Sequence, residues 1–158
     1  MRKILTLLLC LLLCLLTTAC GFNHIMVKEL SNPESYGTFT VTVSKIQRAE
    51  NGTYIYVTFG SYEDVELFHG STPNKECPLE DYQNRLEVTE ENNKILTDNG
   101  FYDKVKVGDT ITVRASHFIY MDGNFFYIAS VVHNDTEYLN FDTGLANIVK
   151  MMKANPGL

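Results

Sequence analysis

The feature that most constrains the fold is a run of alternating apolar and polar residues over residues 37–59, divided by Asn51-Gly52. Alternation with a period of two is typical of a strand that buries one face. Asn-Gly favours a two-residue hairpin turn because both residues accept positive φ. The pattern predicts a hairpin whose inward side chains are Phe39, Val41, Val43, Ile55, Val57 and Phe59. The alternation slips near Lys45-Ile46, which is typical of a β-bulge.

A second hairpin is predicted over residues 108–132. Gly108-Asp109 forms a turn into its first strand, and Asp122-Gly123 favours the turn between its two strands. The alternating residues of the first strand are Ile111, Val113 and Ala115, extended by Phe118 and Tyr120. Residues 125–132 return as the partner strand. Between the hairpins, Leu86 and Val88 indicate a short strand and residues 92–96 a helical turn, whereas residues 60–84 are interrupted by glycine and proline.

The C-terminal region has the spacing of a helix. Its apolar residues follow at i, i+3, i+4 and i+7, and they are Leu145, Ile148, Val149 and Met152. Asp142 or Thr143 can cap the start of this helix, and Asn155-Pro156-Gly157 ends it. We expect its apolar stripe to cover the sheet.

These elements predict a mainly β fold with α+β character and one C-terminal helix. The segment Val105–Ile111, with its Gly-Asp turn, resembles the entry into a barrel strand of oligonucleotide/oligosaccharide-binding domains. That resemblance implies a small five-stranded barrel. A small β-sandwich or β-roll with one helix remains the alternative.

The N-terminus reads as a targeting segment. Arg2 and Lys3 precede an uncharged run over residues 4–16, which is shorter than the roughly 20 apolar residues of a membrane span. Leu16-Thr17-Thr18-Ala19-Cys20, followed by Gly21, resembles the cleavage motif of bacterial lipoprotein signal peptides. The resemblance implies removal of residues 1–19 and a diacylglyceryl group on the Cys20 thiol. Two acyl chains suffice for stable anchoring at the extracytoplasmic face of the cell membrane.

An ordinary secretory signal or an uncleaved helix are the alternatives to a lipoprotein leader. With the leader removed, we expect residues 20–36 to form a lipidated tether and residues 37–158 to form a single domain, since its length lies near the common domain size. The Asn32-Pro33 dipeptide predicts a turn within the tether.

Charge argues against nucleic acid as a partner. The full chain has 13 basic and 19 acidic residues, and Arg2 and Lys3 leave with the leader. The remaining chain carries a formal charge of 11 − 19 = −8. An acidic surface of this kind is repelled by phosphate backbones.

No cofactor, metal or catalytic motif emerges from the sequence. The chain lacks a Gly-x-Ser-x-Gly elbow, and its four histidines lack metal-ligand spacing, although His117 and His133 lie on strands predicted to pair. The acidic residues near Glu63-Asp64-Val65-Glu66 are expected to be solvated. Cys77 is the only cysteine outside residues 1–20, so an internal disulfide is excluded from the domain. An incidental thiol, a redox role and a catalytic role all remain open for it.

Tyrosines are the candidate binding residues. Tyr54 and Tyr56 lie on the outward face of the first hairpin, and Tyr120 and Tyr127 belong to the second. Neighbouring hairpins would bring these rings together as a stacking platform for a sugar, a peptide or another planar ligand. Cross-strand tyrosine pairing that only stabilises the sheet is the alternative.

The sequence therefore predicts a non-enzymatic binding or interaction module of the cell envelope. Its partners would be the lipid membrane, through Cys20, and either an envelope protein or a small ligand. A small envelope hydrolase with a dispersed catalytic triad is the second hypothesis. A transporter's substrate-binding subunit is disfavoured because such subunits are usually two-domain proteins of much greater length.

Overall fold

A computed structural model describes residues 25–49, 52–69, 73–116, 118–120 and 123–155 of the chain. Helix α1 covers residues 25–30, and a 3-10 turn, Pro33–Ser35, leads from it into the first strand. The other helices are α2 (Tyr62–His69), α3 (Glu90–Asp98), α4 (Phe101–Lys104) and α5 (Phe141–Ala154). The strands are β1 (Tyr36–Ala49), β2 (Gly52–Phe59), β3 (Gln83–Val88), β4 (Thr110–Ser116), β5 (Phe118–Tyr120), β6 (Gly123–Phe125), β7 (Ile128–His133) and β8 (Thr136–Leu139).

Six of these strands form one antiparallel sheet in the order β3-β2-β1-β4-β7-β8, and β5 and β6 form a small separate hairpin. The predicted mainly β class with a C-terminal helix is confirmed. The finer expectation of a five-stranded barrel is corrected: the sheet has six strands and is open. Strand β8 pairs with β7 at Val131–His133, and β3 approaches the chain just before β7 through one parallel bridge, Glu87–Tyr127.

Both predicted hairpins are confirmed by the strand pairing. In the first, Val43 pairs with Val57, and the register then shifts between Val43 and Lys45, where the bulge was expected. In the second, β4 pairs with β7, and Phe118 pairs with Phe125 in the small β5–β6 extension. Asn51 and Asp122 of the two predicted turns lie outside the described residues.

The main core lies between one face of the sheet and helices α2, α3 and α4. Phe68 of α2 is fully buried and stacks on Phe126 with 4.0 Å between ring centroids. It also meets Phe39 and Phe59 at 5.1 and 4.9 Å. Helix α2 was not predicted, because it has only eight residues and lies in a region read as interrupted by glycine and proline.

A second, smaller core lies on the opposite face, where α1 and α5 pack against the sheet. Its buried residues are Met26, Leu30, Tyr36, Tyr127, Ala129, Ile148 and Met152. The expectation of a tether up to residue 36 is therefore wrong from residue 25 onward: Met26 and Leu30 are spaced four apart, share one helix face and are fully buried. The remaining tether residues, 20–24, lie outside the described residues.

The predicted C-terminal helix is present as α5, with its apolar stripe on the sheet. Its N-cap is Asn140 rather than Asp142 or Thr143, since the Asn140 side-chain oxygen accepts the backbone N–H groups of both of those residues. None of the helices described is long and apolar enough to cross a membrane.

One buried amide fixes α5 relative to α3 and β7. The Asn92 side chain is fully buried and donates to the carbonyl oxygens of Ile128 at 3.1 Å and Gly144 at 3.2 Å. Its own oxygen accepts the Asn147 amide at 2.9 Å. A buried polar group satisfied in this way ties three elements together at one point.

Replacing Gly144 by alanine tests this close packing of α5 on β7. An alanine normally stabilises a helix by about 1 kcal/mol relative to glycine. Here the added Cβ would collide with the backbone carbonyl of Ala129, so we expect Gly144→Ala to lower the free energy of unfolding by about 2 kcal/mol. Urea denaturation measures this, with Ala146→Gly at an exposed position of the same helix as the control, expected to lose about 1 kcal/mol. A stabilised Gly144→Ala protein would contradict the packing.

Candidate functional site: the open face of the sheet

Part of the sheet face opposite the main core is left uncovered by the helices that the structure describes. In β2 the inward residues are buried and the outward ones only half-buried, and the neighbouring strands continue this alternation. We call the uncovered region the open face. Its outward residues are Thr38, Thr40, Thr42, Lys45 and Gln47 of β1, Tyr54, Tyr56 and Thr58 of β2, Arg85 and Glu87 of β3, and Thr112 and Arg114 of β4.

Tyr54 and Tyr56 both lie on the open face, as the sequence predicted. In the register of the three strands, Tyr54 stands between Gln47 and Glu87. The Arg85 guanidinium lies over the Tyr54 ring, 4.8 Å from its centroid. This ring therefore takes part in cross-strand packing while remaining only half-buried, so it carries features of both alternatives that the sequence left open.

Tyr56 also has a cation against its ring, in this case from the neighbouring strand β1. It stands between Lys45 and Arg85 in the register, and the Lys45 Nζ lies 5.2 Å from its ring centroid. The Gln47 Oε1 accepts Lys45 Nζ at 3.1 Å and the Tyr56 hydroxyl at 3.4 Å. The cation, the amide and the phenol thus form one connected group on the surface.

The other two candidate tyrosines are placed differently. Tyr127 is only 8 % exposed and belongs to the second core. Burial, and next the charge of the nearby Glu87 carboxylate, raise the pKa of Tyr127 to about 12. Tyr120 lies in β5, which belongs to the separate hairpin, and its side chain is outside the described part of the structure. The structure therefore brings Tyr54 and Tyr56 together, with Tyr127 buried behind Glu87.

The charged and amide neighbours of the tyrosines were not predicted from the sequence. Lys45, Gln47, Arg85 and Glu87 flank the rings because of the strand register. That register depends on the bulge after Val43. The sequence predicted the position of the bulge, but it did not predict which residues of β1 and β2 would pair beyond it.

His133 is the histidine whose surroundings the structure describes most fully. Its Nε2 lies 3.5 Å from Asp109 Oδ2 and 3.2 Å from the Asn134 amide nitrogen. Among the described residues, no hydroxyl or thiol hydrogen-bonds to this ring, so the dispersed triad is not assembled at His133. His24, His117 and the side chain of His69 lie outside the described residues.

The remaining reactive groups are engaged locally. Cys77 is a half-buried free thiol whose Sγ accepts the Asn74 amide at 3.5 Å. In the predicted acidic segment, Asp64 pairs with Ser61 at the start of α2, where negative charge is favourable. Within the described residues, no group of three or more His, Cys, Asp or Glu side chains could hold a metal ion.

Comparison with known proteins gives no relative on which to base an assignment. No protein-family model matches the chain, and no curated protein and no solved structure matches it.

The raised pKa of Tyr127 predicts a specific loss of stability in alkali. The folded protein keeps the phenolic proton to about pH 12, whereas the unfolded chain loses it near pH 10. The folded state therefore binds more protons between these values, and the free energy of unfolding falls with rising pH, by up to about 2–3 kcal/mol for this group.

Tyr127→Phe removes this titrating group and keeps the ring. We expect its free energy of unfolding to fall less steeply than that of the unmodified protein between about pH 10 and pH 12, as measured by urea denaturation. Both proteins are compared with their own values at pH 8, so that the lost hydroxyl contact is subtracted. Identical alkaline slopes would contradict the burial of Tyr127.

Proposed function

We propose that the protein is a lipid-anchored binding module on the extracytoplasmic face of the bacterial cell membrane. The anchor is Cys20, in the motif Leu16-Thr17-Thr18-Ala19-Cys20, and the ligand surface is the open face around Tyr54 and Tyr56. The observation that carries the binding role is this uncovered sheet face, on which two half-exposed aromatic rings are held in fixed positions by cations.

The position of the fold supports an anchor close to the membrane. Ordered structure begins by residue 25, five residues after Cys20. Five residues of fully extended chain span at most about 17 Å. A module joined to its lipid by so short a link stays near the membrane surface, where it would meet other components of the envelope.

The composition of the open face supports a binding role beyond solubility. A sheet face that only meets water needs no aromatic side chains, whereas Tyr54 and Tyr56 expose large amphipathic rings next to charged and amide groups. Rings of this kind contribute contact area at low entropic cost, because they have only two side-chain torsions. Either a small ligand or an envelope protein could use such a surface.

The anchor is tested by lipid labelling of the full chain expressed in bacteria. With an alkyne analogue of palmitate, the unmodified protein should be labelled and should sediment with membranes. Cys20→Ser should lose the label because the acceptor thiol is gone, and Cys77→Ser is the matched control that should keep it. An unlabelled parent protein, or a labelled Cys20→Ser protein, would show that Cys20 is not the anchor.

The ligand surface is tested by thermal unfolding in the presence of candidate ligands. A ligand present at about 100 times its Kd adds about 2.7 kcal/mol to stability, which raises the Tm by several degrees. We expect one class among neutral saccharides, acidic saccharides and peptides to produce this shift. Tyr56→Ala should abolish it and Tyr56→Phe, which keeps the ring, should retain most of it. A shift that survives Tyr56→Ala would place the ligand elsewhere.

A further inference from the structure

We infer that the ligand of the open face is an acidic polysaccharide. This inference rests on the proposed binding function and extends it by naming the chemical class of the ligand. Three properties of the open face carry it: its charge, the fixed positions of its cations and its free hydroxyl groups.

The open face is basic within an acidic protein. Strands β1 to β4 contain four basic residues and one acidic residue, Glu87, whereas the whole chain has 13 basic and 19 acidic residues. Arg48 lies over the Tyr102 ring at 3.9 Å, beside the main core. Lys45 and Arg85 remain on the open face against Glu87, whereas Arg114 lies at its margin, where its guanidinium is 3.3 Å from the Phe141 ring centroid and donates to the Pro33 carbonyl oxygen at 3.4 Å. A polyanion is thus attracted to this region and repelled by most of the remaining surface.

The cations are already held where an anion would meet them. Lys45 is fixed by Gln47 and the Tyr56 ring, and Arg85 by Glu87 at 2.8 Å and the Tyr54 ring. The Arg85 side chain is nevertheless 52 % exposed, so its guanidinium is accessible from solvent. Because these side chains are ordered before binding, little additional entropy is lost when a ligand arrives.

Threonine hydroxyls form the rest of the surface. They belong to Thr38, Thr40, Thr42, Thr58 and Thr112, all half-buried or exposed. Among the described residues, none of these hydroxyls has a hydrogen-bond partner. They can therefore donate to and accept from the hydroxyls of a sugar, while the exposed parts of Tyr54 and Tyr56 pack against its ring faces.

The three features together fit an acidic polysaccharide better than a neutral glycan or an acidic peptide. A neutral glycan would bring no negative charge to the exposed cations Lys45 and Arg85, and an acidic peptide would leave the row of threonine hydroxyls largely unused. A linear polysaccharide with acidic groups supplies anions for the cations, hydroxyls for the threonines and ring faces for the tyrosines. The open face spans at least four strands, or about 15–20 Å, which is wide enough for several sugar units.

The test uses the full chain in a neutral detergent and fluorescently labelled oligomers of polygalacturonate. We expect them to bind at least about tenfold more tightly than dextran or polyglutamate oligomers of equal length, with an affinity that decreases as salt is added. Arg85→Gln and Lys45→Gln should each weaken binding about fivefold. Lys94→Gln is the matched control: it makes the same charge change at an exposed position of α3 and should leave the affinity within about twofold.

Two further variants separate recognition from simple charge attraction. Glu87→Gln should tighten binding several-fold, because it releases Arg85 and removes the one carboxylate of the open face. Thr40→Val keeps the branched shape but removes a hydroxyl, so it should weaken polygalacturonate binding and leave any polyglutamate binding unchanged. Weaker binding by Glu87→Gln, or no effect of Thr40→Val, would contradict the inferred mode of recognition.

The alternatives give different results. Equal binding of polyglutamate would assign the face to acidic peptides. Binding only to vesicles that contain phosphatidylglycerol would assign it to the lipid surface. A Tyr56-dependent thermal shift with neutral saccharides alone would keep the binding module and overturn the acidic ligand. If no ligand binds and Cys20 carries no lipid, the proposed function fails together with this inference.

Discussion

The structure depends on the pairing of one long strand, β1, with two different partners. Residues Tyr36–Thr42 of β1 pair with β4, and the half from Val41 onward pairs with β2. The bulge between Val43 and Lys45 lies just beyond the point where these two ladders overlap. The extra residue reverses which side chains face the core, so Ile46 faces inward beside Ile55. Without it, Lys45 and Gln47 would point into the core instead of flanking Tyr56 and Tyr54.

The dependence on the register of β1 explains why the local structure could be predicted from the sequence, whereas the candidate site could be predicted only in part. Both hairpins and α5 follow from short-range signals: period-two alternation, Asn-Gly and Asp-Gly turns, and an apolar stripe with helical spacing. The outward positions of Tyr54 and Tyr56 follow from the same alternation. Their charged neighbours come from β1 and β3, and these depend on a register set across the bulge.

The errors have a common cause in contacts between distant parts of the chain. Among the described residues of helix α1, Met26 and Leu30 are the two in the buried core, and the helix becomes recognisable only against Tyr127 and α5. The sixth strand was missed because β8 folds back on β7, through a turn in which Asn134 and Asp135 both have positive φ. The sequence contained the residues of that turn, but a single turn does not reveal at which edge of the sheet the following strand will pair.

The second core also determines how much of the sheet stays open. Helix α5 is drawn onto β7 by Ile148 and Met152 and fixed there by Asn92, and Phe141 near its start lies 3.3 Å from the Arg114 guanidinium. The helix thus ends the open face at β4, and within the described part of the chain no helix covers the outward side of β2 and β3 or of β1 beyond its start. Because acidic residues are nearly absent from those strands and abundant elsewhere, a flexible polyanion has one surface to which it is attracted and many from which it is repelled. For the polyanionic ligand that we propose, repulsion by the remainder of the molecule adds to the specificity that attraction by Lys45 and Arg85 supplies.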